Sequence, residues 1–310
     1  TGLFRLPGRN LVLATPAAPD TSGSGPNLIV VVLDTLRADH VGAYGYPRAT
    51  TPWLDEFARH ATVYERAIAS SSYTIPTHAT LFTGMFAETH GAIEDQSHRG
   101  KSVSDAEIAQ DTTKVAPLPD EAQTLAECTA ARGYDTGAIC ANAAYLSRIY
   151  NLDQGFEEYV DAPGNRSMYR PAGLAIANKL PFPQKWRLTR MLDSNERIYL
   201  FANEVNALAS QWLRGRRDQP FFLFLNYMDA HAPYLPGPGY RQMFPKSFAP
   251  QVTDWLAINQ QERALTPEEK AASVDAYDAG IRSIDDRLRD LFAELEASGA
   301  LENSLVVITS

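Results

Sequence analysis

Apolar runs of strand length alternate with amphipathic stretches of helix length along this chain. The run Leu28-Ile29-Val30-Val31-Val32-Leu33 is continuous and rich in β-branched residues, the pattern of a strand buried on both faces of a parallel sheet. Similar runs at 62–68, 134–140, 221–225 and 304–310 predict further strands, the last also buried. Between them, Thr50-Thr51-Pro52 opens a capped amphipathic helix carrying Leu54, Phe57 and Ala58. Helices are also predicted over 121–132, ended by Gly133, and over 196–214, with Ile198, Phe201, Val205, Leu208, Trp212 and Leu213 on one face. A long helix runs from Pro267 to about residue 298, with Thr266 as N-cap and Gly299 as stop. This alternation predicts an α/β fold: a doubly wound, mostly parallel central sheet with helices on both faces.

Residues 1–26 break the pattern. Their Thr15-Pro16-Ala17-Ala18-Pro19 and Thr21-Ser22-Gly23-Ser24-Gly25-Pro26 stretches have linker chemistry and no period, so the catalytic-type domain is expected over 27–310. A chain of 310 residues with 45% hydrophobic content can bury one large core. Its net charge of −9 argues against nucleic acid as a partner. Cys128 and Cys140 are the only cysteines and imply no disulfide framework. No run of about 18 apolar residues is present. Residues 94–119, with His98, read as a surface loop. The proline-rich 161–195 stretch, with Lys185-Trp186-Arg187 and Arg190, reads as an irregular, substrate-facing insertion.

The chemistry concentrates at Tyr73-Thr74-Ile75-Pro76-Thr77-His78. Pro76 suits a first helical turn, which puts Ile75 at the cap, and isoleucine cannot cap. The free N–H groups and the positive end of the helix dipole would then stabilise an anion, with the Thr74 hydroxyl at the rim. A hydroxyl so placed suits attack on a phosphate or sulfate ester if its pKa is lowered, most simply by a metal ion. On these residues alone, a Thr/Pro turn leading into an ordinary helix fits equally. Asp34 stands at the carboxyl end of the first strand, where open α/β sheets collect ligands; it also fits a simple turn cap. Thr35, Arg37, Asp39 and His40 follow in the same loop.

The segment Thr74-Ile75-Pro76-Thr77-His78, four residues, then Thr83-Gly84 resembles the sulfatase signature C-x-P-S-R-x-x-x-x-T-G in unbroken register. V-V-L-D-T-L-R-A-D-H-V-G-A-Y-G-Y resembles the first sulfatase motif, and D-A-H-A-P-Y, residues 229–234, the later P-H-x-P motif. The resemblance covers roughly residues 27–160 and 196–310, and it implies an alkaline-phosphatase-like fold. It further implies Asp34 as a metal ligand, Thr74 as nucleophile through a covalent intermediate, and His78 and His231 as groups that position the transferred group or neutralise its charge. Thr77, Asn142 and Asp229 are the implied substrate contacts. Threonine at the first signature position departs from the family's Cys or Ser and resembles phosphotransfer and phosphonate-cleaving relatives.

Many sulfatases carry a second Asp where this chain has Thr35, and K-W-H where it has Ala141-Asn142-Ala143. The implied cofactor is a divalent ion, Zn, Mn or Ca. The implied substrate is a small-molecule, glycan or lipid ester. Two alternatives stay open: a phosphoethanolamine- or glycerophosphate-transferase-like envelope enzyme, and a catalytically silent, sulfatase-shaped binding protein. A cell-envelope or periplasmic location is favoured by the resemblance, with possible membrane attachment through a segment before Thr1. His90-Gly91 and Asp153-Gln154-Gly155-Phe156 match further family patterns and read as supporting structure. So do Asp278 and Asp285, expected on an exposed or loop-facing side of the long helix. Because the family places its next metal ligands after the strand at 304–310, the chain is expected to stop short of its metal site and to bind metal poorly.

Overall fold

The computed structural model describes residues 25–93, 116–161, 199–214, 219–232, 234, 236–237, 239–245 and 263–310. Five strands form one sheet: β1 (Asn27–Leu33), β2 (Asp135–Cys140), β3 (Glu158–Val160), β4 (Phe221–Tyr227) and β5 (Ser304–Thr309), in the order β3-β2-β4-β1-β5. Every pairing is parallel. Val32 of β1 lies opposite Asn226 of β4 and Thr309 of β5, and Cys140 of β2 also pairs with Asn226. The three inner strands therefore end level. Asp34, Ala141 and Met228 leave the sheet at one edge.

The runs on β1 and β4 are continuous because both faces are covered. Ile29, Val31, Leu33, Leu223, Leu225 and Tyr227 pack with residues of α1 (Pro52–Ala58), α5 (Ala202–Leu213) and α6 (Pro267–Ala297). Val30, Val32, Phe222 and Phe224 pack on the other face, against α2 (Thr74–Thr83) and α4 (Leu125–Ala130); α3 (Ala87–His90) follows α2. The doubly wound prediction holds. Phe224 is fully buried, and its truncation to alanine would cost about 3–5 kcal/mol, transfer and cavity together.

The long helix begins and ends as its caps dictate. The Thr266 hydroxyl accepts the Glu269 N–H and the Glu269 carboxylate accepts the Thr266 N–H, while Gly299 takes φ 76° at the far end. The helix expected over 121–132 is shorter, because Thr124 with Glu127 builds its capping box further along the chain. That expected over 196–214 begins at Ala202.

Two strand expectations fail. Residues 62–68 form no strand: Tyr64 and Ile68 are 72% and 84% exposed, and their β-branched and aromatic content has no buried face to alternate with. β5 is an edge strand rather than a buried one. Its Leu305 and Val307 are exposed on the face where β1 presents Leu28 and Val30. The tail at 1–24, His98 with residues 94–115, and nearly all of the insertion at 161–195 lie outside the described residues.

Candidate active site

Tyr73, not Ile75, is the N-cap of α2, with φ −116° and ψ 142°, and its side chain makes no capping hydrogen bond. The reasoning from Pro76 survives this shift, since an N–H at the third helical position would have no partner within the helix either. Thr74 is thus the first helical residue, and it is half-buried. The Thr77 hydroxyl, expected on the substrate, instead donates to the Ser71 carbonyl at 3.1 Å and ties down the incoming loop.

His78 lies one turn further on and is buried. Its Nδ1 is 2.8 Å from the Thr74 carbonyl, which can only accept, so Nδ1 carries the proton. Burial lowers the imidazole pKa, and the Asp34 charge opposes that shift without reversing it. That shift favours the neutral ring, whose Nε2 lone pair has no partner among the described residues. His78 is expected to position the transferred group or neutralise its charge; a neutral ring has an Nε2 lone pair that can accept a proton or ligate.

Strand parity aims Asp34 at the same face. Leu28, Val30 and Val32 face α2, so Asp34, two residues beyond Val32, does too. Its Oδ2 accepts the Asn142 side-chain amide at 3.0 Å. Asn142, expected to touch substrate, is buried, and its side-chain amide reaches past the end of β4, which lies between β2 and β1, to Asp34. Asn226, the last α2-facing residue of β4, accepts the Asn142 main-chain N–H at 3.0 Å through Oδ1, and its Nδ2 has no partner among the described residues. An orphaned buried donor costs about 1–3 kcal/mol. Sequence reasoning missed Asn226, although a polar residue closing a Phe/Leu run was the available signal.

Thr35 holds a left-handed conformation, φ 61°, which is a true outlier for a β-branched residue. The turn it makes carries the chain sharply away from Asp34, and its hydroxyl donates to the Ala230 carbonyl at 3.2 Å. The loop beyond is pinned by α6. Asp278, wholly buried, accepts from His40 Nδ1 at 2.6 Å, from Tyr46 at 2.7 Å and from Arg48 at 2.7 Å. Asp285 accepts the Trp53 and Leu54 N–H groups and so caps α1, and burial raises its pKa to about 6. Both acids, expected on an exposed or loop-facing side, do face loop and helix end, but they are buried.

Asp229, expected as a substrate contact, is buried and bonded within the fold. Its Oδ2 accepts the Ala202 N–H at 2.9 Å, supplying the N-terminus of α5 with the cap that Phe201 cannot. Gly280 of α6 lets this segment approach, since a Cβ there would lie 2.2 Å from the Asp229 carbonyl oxygen. Burial raises the Asp229 pKa to about 7. His231, half-buried in the next turn, donates from Nδ1 to the Ala232 carbonyl at 2.6 Å, which leaves Nε2 as its acceptor nitrogen. His90 sits in the α2–α3 corner, accepting the Ala92 N–H and contacting Thr80.

Among the described residues, no group of three or more His, Cys, Asp or Glu gathers around one point. The two potential donors that act on one another are Asp34 and His78, whose buried ring feels the Asp34 charge. Mixed oxygen and nitrogen donors suit Zn or Mn better than Ca, which prefers all-oxygen shells.

A parallel sheet with helices on both faces, a strand-end aspartate and a helix opening on a threonine define an α/β protein of the doubly wound class. The chain belongs to the Sulfatase family, whose family model matches residues 26–310. It is 23% identical to human N-acetylgalactosamine-6-sulfatase over 92% of this chain and 49% of that protein. It is 32% identical to arylsulfatase A of Bos taurus over 72% of this chain and 45% of that protein. The chain thus spans about half the length of the curated relatives it matches. Among solved structures, the phosphonate monoester hydrolase of Agrobacterium radiobacter superposes with a TM-score of 0.62 at 18% identity, covering 92% of this chain and 62% of that one. The zinc complex of the C-terminal periplasmic domain of EcEptC from Escherichia coli gives 0.55 at 16% identity, covering 94% and 65%. These confirm the alkaline-phosphatase-like architecture. Among the described residues, no helix is long and apolar enough to cross a membrane.

Proposed function

We propose that this chain carries the attacking residue of an enzyme that cleaves sulfate, phosphate or phosphonate esters, with Thr74 as nucleophile. The observation that supports this most is the placement of Thr74: first residue of a helix whose N-cap side chain makes no capping hydrogen bond, one turn before a buried histidine whose pKa is lowered, on the sheet face that holds Asp34. The Thr74 oxygen would bond to the sulfur or phosphorus while the ester oxygen departs and takes up a proton. Water would then cleave the threonyl ester. The free N–H groups at the start of α2 would hold the equatorial oxygens. Asp34, with His78 beside it, would hold a divalent ion, whose chemistry is to lower the hydroxyl's pKa and polarise the group under attack. His231 would face the leaving side through Nε2. The substrate class is a small-molecule, glycan or lipid ester, and a cell-envelope or periplasmic setting fits the periplasmic neighbour.

The test is a panel of aryl sulfates, phosphates, phosphodiesters and phosphonates assayed with the parent, Thr74→Ala and Thr74→Ser. Loss of turnover in Ala with substantial retention in Ser is expected. Equal rates for Thr74→Ala and the parent would overturn the nucleophile assignment.

A further inference from the structure

Two buried asparagines stand in series behind Asp34. The carboxylate can only accept, so the Asn142 group 3.0 Å from Oδ2 is its NH2, and the orientation of that side chain is fixed. The Asn142 Oδ1 accepts the Tyr145 N–H at 3.1 Å, so both ends of the amide are engaged. The Asn142 main-chain N–H points the other way, to Asn226 Oδ1 at 3.0 Å. Asn226 itself sits on a strand whose other residues are Phe221, Phe222, Leu223, Phe224, Leu225 and Tyr227, all buried. An apolar side chain at 226 would extend that run and avoid an unpartnered Nδ2. The geometry points to Asn226 as a positioning residue: it fixes Asn142, which in turn holds Asp34 by Oδ2 and leaves the other carboxylate oxygen for the site.

This inference rests on the proposed reading of Asp34 as the residue that holds the ion. Partners of a ligand residue orient it and tune its affinity, and their loss lowers metal binding about 10–100-fold. A relay in series has a signature that independent contacts lack, because removing the second member adds nothing once the first is gone. Asn226→Asp keeps an acceptor for the Asn142 N–H, whereas Asn226→Ala does not.

The experiment combines amide hydrogen exchange by NMR on the whole chain with broadening of its resonances by added Mn²⁺. Asn226→Ala should speed exchange of the Asn142 main-chain amide by at least about 10-fold, and Asn226→Asp should restore protection to within about threefold of the parent, amide protection following the local hydrogen bond. Asn142→Ala should leave the residue-142 amide protected and weaken Mn²⁺ binding by about 10–100-fold. The double variant Asn226→Ala/Asn142→Ala should bind Mn²⁺ no more weakly than Asn142→Ala alone. Unchanged exchange in Asn226→Ala, or additive losses in the double variant, would overturn the relay. Asn142→Ala keeps the test decisive if a 226 variant does not fold. Failure of the metal reading shows itself separately: Asp34→Ala would then leave the Mn²⁺ broadening intact, while the exchange data still decide for or against the two-asparagine connection.

Discussion

The Tyr277 phenol holds both sides of Thr35. It donates to the Thr35 carbonyl at 2.7 Å and accepts the Arg37 N–H at 2.8 Å. A β-branched residue in the left-handed region costs about 1–2 kcal/mol, and such a conformation persists only where neighbours over-determine it. Burial raises the phenol's pKa, so it stays protonated and keeps its donor across the working range. Tyr277→Phe should therefore destabilise the protein by about 1–3 kcal/mol, the loss of two part-buried hydrogen bonds at roughly 0.5–1.5 kcal/mol each. Hydrogen exchange should rise in residues 34–37 more than in β4. Thr35→Gly should recover stability in the Phe background by relieving the strain. Chemical denaturation of the two single variants and the pair checks this, and uniform loss of protection across the sheet would contradict it.

The second prediction concerns the acid that pins the β1–α1 loop. Asp278 is wholly buried and serves three side-chain donors from His40, Tyr46 and Arg48. Removing one partner of a buried charged network costs about 3–5 kcal/mol. Asp278→Ala should lose that much, while Asp278→Asn, which keeps one acceptor oxygen, should lose less. Limited proteolysis should cut within residues 36–50 in the Ala variant first.

How far the sequence led can be judged from these residues. Apolar runs, caps and stop glycines gave the strands β1, β2, β4 and β5 and the helix α6, because each of those signals is local and physical. The positions of Asp34, Thr74 and His78 followed from strand ends and one motif. What stayed hidden was pairing at long range. The partners of Asp34, namely Asn142 and behind it Asn226, lie 108 and 192 residues away, and no local pattern encodes which of two amides meets a carboxylate. The partner of Asp229 within the fold was hidden for the same reason. The setting of Asp229 in D-x-H-x-P-Y resembles a substrate site, but α5 begins with Phe201 at its cap position, and the chain borrows an acceptor from elsewhere. Residues 62–68 misled because composition alone cannot say whether a partner strand exists.

The third prediction is a pH dependence of stability. The Asp229 pKa is raised to about 7 in the folded protein against an ordinary value near 3.8, chiefly by burial. The folded state therefore binds the proton more tightly. The stabilisation is full below about pH 4 and is lost as pH rises to about 7, each tenfold difference in proton affinity between the folded and unfolded states being worth about 1.4 kcal/mol. Asp229→Asn keeps an oxygen for the Ala202 N–H and carries no charge. Its Tm should exceed the parent's by roughly a few degrees at pH 8, and the gap should close toward pH 4. A gap that widens on acidification would show that the carboxylate, not the acid, is the favoured buried form.

The last prediction concerns the charge of the group cleaved. A dianionic phosphate monoester needs cations around it, yet the turn after β2 offers Ala141 and a neutral Asn142 already bound to Asp34. His78 adds little positive charge, because its burial favours the neutral ring. Asp34 contributes a negative charge on the same face. Beyond the divalent ion that Asp34 would hold, the start of α2 supplies only about half a positive charge and free N–H groups, so among the described residues little further positive charge meets a second negative charge on the substrate. Mono-anionic esters, meaning phosphodiesters, phosphonate monoesters and sulfate monoesters, should therefore be preferred. The kcat/KM for bis(4-nitrophenyl) phosphate is expected to exceed that for 4-nitrophenyl phosphate by at least about 10-fold at pH 8, a difference of about 1.4 kcal/mol in transition-state stabilisation. Lowering the pH to about 6 protonates part of the monoester to the mono-anion, so the ratio should fall there. A monoesterase rate well above the diesterase rate at pH 8 would require cations that the described site does not hold.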